Sequence, residues 1–300
     1  MYTESLRLSN TLFSGSNENI SGRWSGKSYR IQKKLGAGST GEIFLVRDEA
    51  GKSFAMKVSR DLVSITKEYG YLEKFAAMGF VPKAYELDDF KRDKNIYHYI
   101  IMEYVDGETL REAVAKDRPG IGSKLDIVRI IADTMRRINE QGYVYTDLKY
   151  ENIMVDRRNG LIRLIDLGSI TPIGARVKEY TPMYDRSSWN AGGRTADTSY
   201  QVFTVMILML SMLLSRDIDP GREQLGRIIN QLERKGLSWE VYSITKDCLE
   251  GRISGCGMLY DRLGGICRRG SPGKGLTKAL DAVIAFLSVL LVVLIRTVFA

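Results

Sequence analysis

The chain has 300 residues, 44 % hydrophobic and 27 % charged, an ordinary globular composition large enough for one two-lobed domain and neither disordered nor fibrous. A formal charge of +8 favours anionic partners, whether phosphate ligands, acidic lipid, nucleic acid or acidic proteins, without choosing among them. The single histidine, His98, sits in the strand-like run Ile96 to Ile101 and argues against a Ser-His-Asp triad or a multi-histidine metal site. Any chemistry must then run on carboxylates, lysines, backbone amides and a metal held by oxygen.

Residues 1–28 read as a polar leader with no apolar run and hence no secretory signal. Tyr29 to Leu35 alternates into Gly36-Ala37-Gly38-Ser39-Thr40-Gly41, and Glu42 to Arg47 resumes a β-favouring run, which predicts a hairpin with a glycine-rich turn. Ser53 to Val58 is a third short strand. A helix is expected over 65–78, with Tyr69, Leu72, Phe75 and Ala76 at helical spacing and Gly79 at its end. Strands at 83–87 and 97–104 flank a charged turn, giving a small lobe of five strands and one helix over 29–105.

A larger, mainly helical lobe is expected over 106–250, so the fold class is α+β with two lobes. Its helices are 108–116, then 124–141 with the stripe Leu125, Val128, Ile131, Met135 and Ile138, and then 223–234 and 238–249. Thr198 to Leu214 is apolar nearly all round and reads as a buried hub helix rather than a membrane span, since Thr204 and Ser211 interrupt it.

Residues 251–279 are glycine-rich, with six basic residues between Arg252 and Lys278 against Asp261 alone. They read as a flexible basic linker that is either a solvated spacer or a contact for anionic lipid or DNA. Cys248, Cys256 and Cys267 lack paired or metal-binding spacing and are expected to be reduced thiols. Ala282 to Ile295 carries no charge, and 280–300 reaches the roughly 20 residues a bilayer core requires. A single-pass anchor in the cell membrane is expected, with the catalytic domain in the cytoplasm; a last core helix is the alternative, because the uncharged run is short.

Gly36-x-Gly38-x-x-Gly41 alone is a weak signal, but it leads from strand to strand, whereas a dinucleotide turn leads from strand to helix. Without side chains at Gly36, Gly38 and Gly41, and with only a methyl at Ala37, backbone amides can approach phosphates. Lys57 in the third strand is placed for the α- and β-phosphates, and Glu68 on the following helix is its expected ion-pair partner, with Glu73 the lesser choice. Taken singly, either would pass for a surface residue. The strong signal is Asp147-Leu148-Lys149-Tyr150-Glu151-Asn152 followed, 19 residues after Asp147, by Asp166-Leu167-Gly168. Phosphoryl transfer needs a carboxylate to orient and deprotonate the attacking hydroxyl, a cation near the γ-phosphate and oxygen ligands for Mg²⁺. Asp147, Lys149, and the pair Asn152 and Asp166 supply these in that order.

Residues 29–250 thus resemble the bacterial Hanks-type, eukaryotic-like serine/threonine kinases, and the two lobes resemble the protein-kinase fold. The resemblance implies ATP and Mg²⁺ as cofactors, Met102 as gatekeeper, and backbone at Glu103 and Val105 facing adenine. It further implies protein substrates chosen through Lys149 and Thr181, autophosphorylation among Thr171, Thr181, Ser187, Ser188, Thr195, Thr198 and Ser199, and Asp197 holding the catalytic loop from the start of the hub helix. Gly22-Arg23-Trp24-Ser25-Gly26, Lys178-Glu179-Tyr180-Thr181 and the terminal apolar run are similar to the small membrane-anchored YabT-type kinases of spore-forming bacteria. A homodimer stays open.

Three departures matter. Tyr145-Thr146 stands where the family has His-Arg, Leu167 replaces a phenylalanine, and no Ala-Pro-Glu closes the activation segment near 184–189. Control through a phosphate on that segment is therefore in doubt. A pseudokinase scaffold and a small-molecule kinase remain as alternatives. Retained Lys57, Asp147, Asn152 and Asp166 weigh against the first, and the glycine-rich hairpin with Lys149 and Thr181 against the second.

Overall fold

The computed structural model describes residues 12–13, 18–38 and 40–269. The chain opens with β1 (Asn19–Ser21), β2 (Ser28–Gly38), β3 (Gly41–Asp48) and β4 (Ser53–Ser59), crosses over in α1 (Leu62–Phe75), and returns in β5 (Ala84–Arg92) and β6 (Asn95–Glu103). These strands form one antiparallel sheet in the order β1-β2-β3-β4-β6-β5. The sheet has six strands rather than five, because part of the expected leader pairs with β2. The leader's next turn is held by Asp88, whose buried carboxylate accepts from the amides of Trp24 and Ser25.

Strand alternation sorts the small lobe into two faces. Phe54, Met56 and Val58 of β4 join Phe44, Val46, Tyr99 and Ile101 in an outer core, while Ala55 and Lys57 face the interlobe side. Asp61 starts α1 by accepting from the amides of Val63 and Ser64. Its inner stripe is Ile65, Glu68, Leu72 and Phe75, all buried. Glu68 therefore turns inward by helical period alone, which Glu73 does not.

Beyond the hinge come β7 (Gly107–Thr109), α2 (Leu110–Asp117), α3 (Ile121–Glu140), β8 (Tyr143–Tyr145), β9 (Ile153–Asp156), β10 (Ile162–Leu164), β11 (Ile170–Pro172), α4 (Thr198–Leu214), α5 (Leu225–Arg234), α6 (Trp239–Leu249) and α7 (Cys256–Arg269). β10-β9-β7 and β11-β8 are small antiparallel sheets that display the loops between them. α4 is buried from Tyr200 to Leu214, at the centre of a core shared with α3, α6 and α7. Among the described residues no helix is long and apolar enough to cross a membrane. The expected anchor over 280–300 lies outside the described residues, as do linker residues 270–279.

The flexible-linker reading needs correction over 256–269. Cys256, Leu259 and Leu263 fall on one helical face and are buried against α3 and α4, and Arg252 and Arg262 converge on Asp247. Glycine and arginine content masked an apolar stripe too short to register. The cysteines are free; Cys248 and Cys256 are buried.

Candidate active site

Between the lobes, Lys57 Nζ lies 2.6 Å from Glu68 Oε2 and 3.4 Å from Asp166 Oδ1. Lys57 is 2 % exposed and Glu68 1 %. Burial pushes the Glu68 carboxyl up to about 7 even against Lys57. Burial also acts to lower Lys57, but Glu68 and Asp166 outweigh it and hold the ammonium above its usual range. The two shifts pull the pair in opposite directions. Two carboxylates at these distances keep the ammonium charged, while the buried Glu68 carboxyl gives up its own proton only as pH rises towards about 7.

The glycines around this cation differ in role. A Cβ at Gly36 or Gly38 would meet nothing within 4 Å, so the turn of the β2–β3 hairpin leaves open space beside its backbone. At Gly41, φ is +149° and a Cβ would lie 2.1 Å from the Val58 carbonyl oxygen, so only glycine lets β3 leave the turn against β4. Met102 is buried at the end of β6. The Glu103 amide donates to the Lys83 carbonyl at 2.8 Å, and its carboxylate turns away to Arg158 and Arg163, bracing the end of β6.

The loop from β8 to β9 brings the second half of the site together. Asp147 accepts from Thr181 Oγ1 at 2.7 Å on Oδ1 and from Lys149 Nζ at 2.6 Å on Oδ2. Residues 34 apart in the chain are thus joined on one carboxylate. Asn152 Nδ2 donates to the Asp147 carbonyl at 2.9 Å, which ties the amide nitrogen inward and leaves Oδ1 as the ligating end. Asp166 Oδ1 accepts from the Gly168 amide at 3.1 Å. Among the described residues there is no cluster of three histidine, cysteine or carboxylate side chains that could hold a metal alone. One carboxylate and one amide oxygen, with phosphate oxygens completing the shell, suit Mg²⁺, which keeps few protein ligands.

The substituted residues have their own partners. Tyr145, wholly buried, donates its hydroxyl to the Asp166 carbonyl at 2.6 Å, and burial keeps that phenol protonated. The Thr146 hydroxyl lies 2.8 Å from the Ser169 carbonyl and 2.9 Å from the Glu179 carbonyl, so its one proton is shared between the two arms of the activation segment. The segment's end is anchored by Asp185, also wholly buried, which accepts from Ser188, Arg194 and Tyr200. Burial works against the ionised form, but these donors outweigh it and hold the carboxyl below its usual range.

Asp197 does open α4, accepting from the Tyr200 amide at 2.6 Å, but its side-chain partners are Arg186 and Ser199. The catalytic loop is instead held by Gln201, which accepts from the Tyr145 amide at 2.7 Å and donates back to its carbonyl at 3.2 Å. Sequence reasoning singled out Thr146 only as a departure, and it missed what Thr146, Asp185 and Gln201 hold. An uncharged glutamine at the start of an apolar helix was the one available signal.

A two-lobed fold with a cation–carboxylate pair beneath a glycine-rich hairpin and a braced aspartate opposite defines a phosphotransferase of the kinase class. The chain belongs to the protein kinase family: the protein kinase domain matches residues 29–250, and ATP with Mg²⁺ is what that family uses. The chain is 31 % identical over 218 residues to the serine/threonine-protein kinase YabT of Bacillus subtilis, covering 70 % of this chain and 64 % of that protein. It is 25 % identical to PrkC of the same organism over 71 % of this chain and 34 % of the relative, and 25 % identical to PknB of Mycolicibacterium smegmatis over 62 % and 32 %. The chain thus spans less than two thirds of the length of each.

Proposed function

We propose that this chain is a serine/threonine protein kinase that moves the γ-phosphoryl group of Mg·ATP to protein hydroxyls, itself included, and is held at the cell membrane by residues 280–300. The observation that carries the reading is the doubly held carboxylate of Asp147, with Thr181 on one oxygen and Lys149 on the other.

Asp147 orients the substrate hydroxyl and takes its proton while the hydroxyl oxygen bonds to the γ-phosphorus. The bond from that phosphorus to the β–γ bridging oxygen breaks and ADP departs. Lys149 lies beside the acceptor carboxylate, where it offsets charge gathering on the transferring group. Lys57, fixed by Glu68, binds the α- and β-phosphates, and amides around Gly36, Ala37, Gly38 and Gly41 cover them. The backbone of Glu103 and Val105 would face adenine, with Met102 behind. Asn152 and Asp166 would hold Mg²⁺, which would supply neutralisation of charge on the phosphates.

Transfer of labelled phosphate from Mg·ATP to the protein and to a generic basic protein tests the reading, with Lys57→Ala and Asp147→Asn as controls. Label on serine or threonine that both substitutions abolish is expected. No transfer at high protein concentration favours a nucleotide-binding scaffold. For the anchor, the full chain is expected in the membrane fraction and a version ending at residue 279 in the soluble one; co-fractionation of both would remove the anchor.

A further inference from the structure

Beside the turn that carries Tyr150 lies a cavity of about 410 Å³ between the end of α2, the start of α3 and the end of α4. Its walls carry Arg111, Arg118, Lys124 and Arg216 against a single carboxylate, Asp217. Two of the four cations are already committed: Arg111 pairs with Glu151 and Asp217, and Arg216 with Glu223. The other two are not. Arg118 has no acidic partner among the described residues, and the chain holds it at φ +45° at the end of α2, a conformation that costs an L side chain about 1 kcal/mol.

Lys124 is the more telling group. It is only 9 % exposed, yet its ammonium meets a hydroxyl, Ser215 Oγ at 2.9 Å, and no carboxylate among the described residues. Its hydrogen bond goes to that hydroxyl, whereas the Leu214 carbonyl at the end of α4 is capped by Lys235 at 3.2 Å. Burial and the charge of Lys235 depress the ammonium's pKa, the direction expected of a buried cation that lacks its anion. The floor adds hydroxyls from Ser211 and Tyr150, bonded to each other at 3.0 Å, and Tyr184 nearby keeps a buried hydroxyl with no partner among the described residues.

We propose that this cavity is a binding site for a phosphate group, supplied by a soluble phosphate compound or by a lipid headgroup. A point charge, a guanidinium and several hydroxyls suit an anion with three or four oxygens better than they suit a carboxylate. The volume leaves room for more than the bare ion. The floor residue Tyr150 and its neighbour Glu151, which lies outside the cavity lining, belong to the turn that carries Asn152, so an occupant would compete with Glu151 for Arg111 beside the catalytic loop.

The test uses the full chain in phosphatidylcholine vesicles, with the nucleotide site filled by a non-hydrolysable Mg·ATP analogue, and reads acylation of the Lys124 amine by mass spectrometry. Inorganic phosphate, at ionic strength matched with chloride, is expected to slow acylation at least threefold if the source is soluble. Phosphatidic acid in the vesicle does so if the source is lipid. Either result supports the site. In parallel, orthophosphate or, for the lipid case, glycerol 3-phosphate is expected to raise the unfolding temperature saturably, with Lys124→Met or Arg118→Gln weakening it about tenfold. Two outcomes overturn the proposal: no protection by either source, or binding by both variants as tight as in the parent chain.

Discussion

Removing either half of the Lys57–Glu68 pair has different consequences, because each half leaves a different charge behind. Glu68→Gln strands an ammonium that is 2 % exposed, with only Asp166 at 3.4 Å to answer it. Breaking a buried pair typically costs 3–5 kcal/mol, and the residual carboxylate trims this to about 2–4 kcal/mol, a fall in melting temperature of roughly 5–15 °C. Lys57→Met strands a carboxyl that can instead take up a proton. Glu68 already sits at about 7 against an ordinary 4.5, so its folded form keeps a proton the unfolded form releases. The folded state then binds more protons, and stability falls as pH rises through that interval. In the parent chain the decline ends near 7. Without Lys57 it continues above, at no more than roughly 1.4 kcal/mol per pH unit. Urea unfolding at about pH 5.5, 7 and 8.5 reads both effects. The reasoning fails if Lys57→Met tracks the parent chain in parallel across that range, or if Glu68→Gln is as stable as the parent.

Thr181→Ala should lower kcat by about 10–100-fold with KM for ATP little changed, as expected when roughly 1.4–2.7 kcal/mol of orientation is lost from Asp147; an unchanged kcat would detach Thr181 from catalysis. Asp185→Asn should cost about 2–4 kcal/mol at neutral pH, because the depressed carboxyl contributes stability above its unfolded pKa and loses it as pH falls; the variant's loss relative to the parent should therefore shrink in acid. Leu259→Ala and Leu263→Ala should each destabilise by about 2–5 kcal/mol in denaturant melts, whereas a solvated linker would tolerate both within error. Autophosphorylation should mark Thr195, which is exposed, ahead of Thr171, which is buried, and Ser188, whose hydroxyl is held by Asp185; a map led by Thr171 would contradict this.

What could be read from the sequence was whatever lay in a contiguous pattern. The run from Asp147 to Asn152 and the later Asp166 announced themselves because the loop's chemistry is written in adjacent residues. Glu68 followed from counting along a helix whose apolar positions fixed its inner face. The pairings that brace the loop were not legible: Gln201 reaches back 56 residues to Tyr145, and Arg194 curls back on Asp185, and no local period records either contact. β1 was hidden because three residues of edge strand carry almost no alternation. α7 was hidden because Gly257, Gly264 and Gly265 read as loop when only packing against α3 and α4 makes the helix worthwhile.

The Thr146 bridge changes what kind of signal this activation segment can receive. A guanidinium holding a phosphate is a charged latch, loosened by a phosphatase and weakened by salt. A buried hydroxyl between two carbonyls answers to neither, and it is in place from the moment the chain folds. Adding phosphate to the segment would therefore alter its surface without tightening that joint. The dial that sets the enzyme's output must then be turned elsewhere: by how often substrate and kinase meet, by nucleotide supply, or by something that acts beside the catalytic loop.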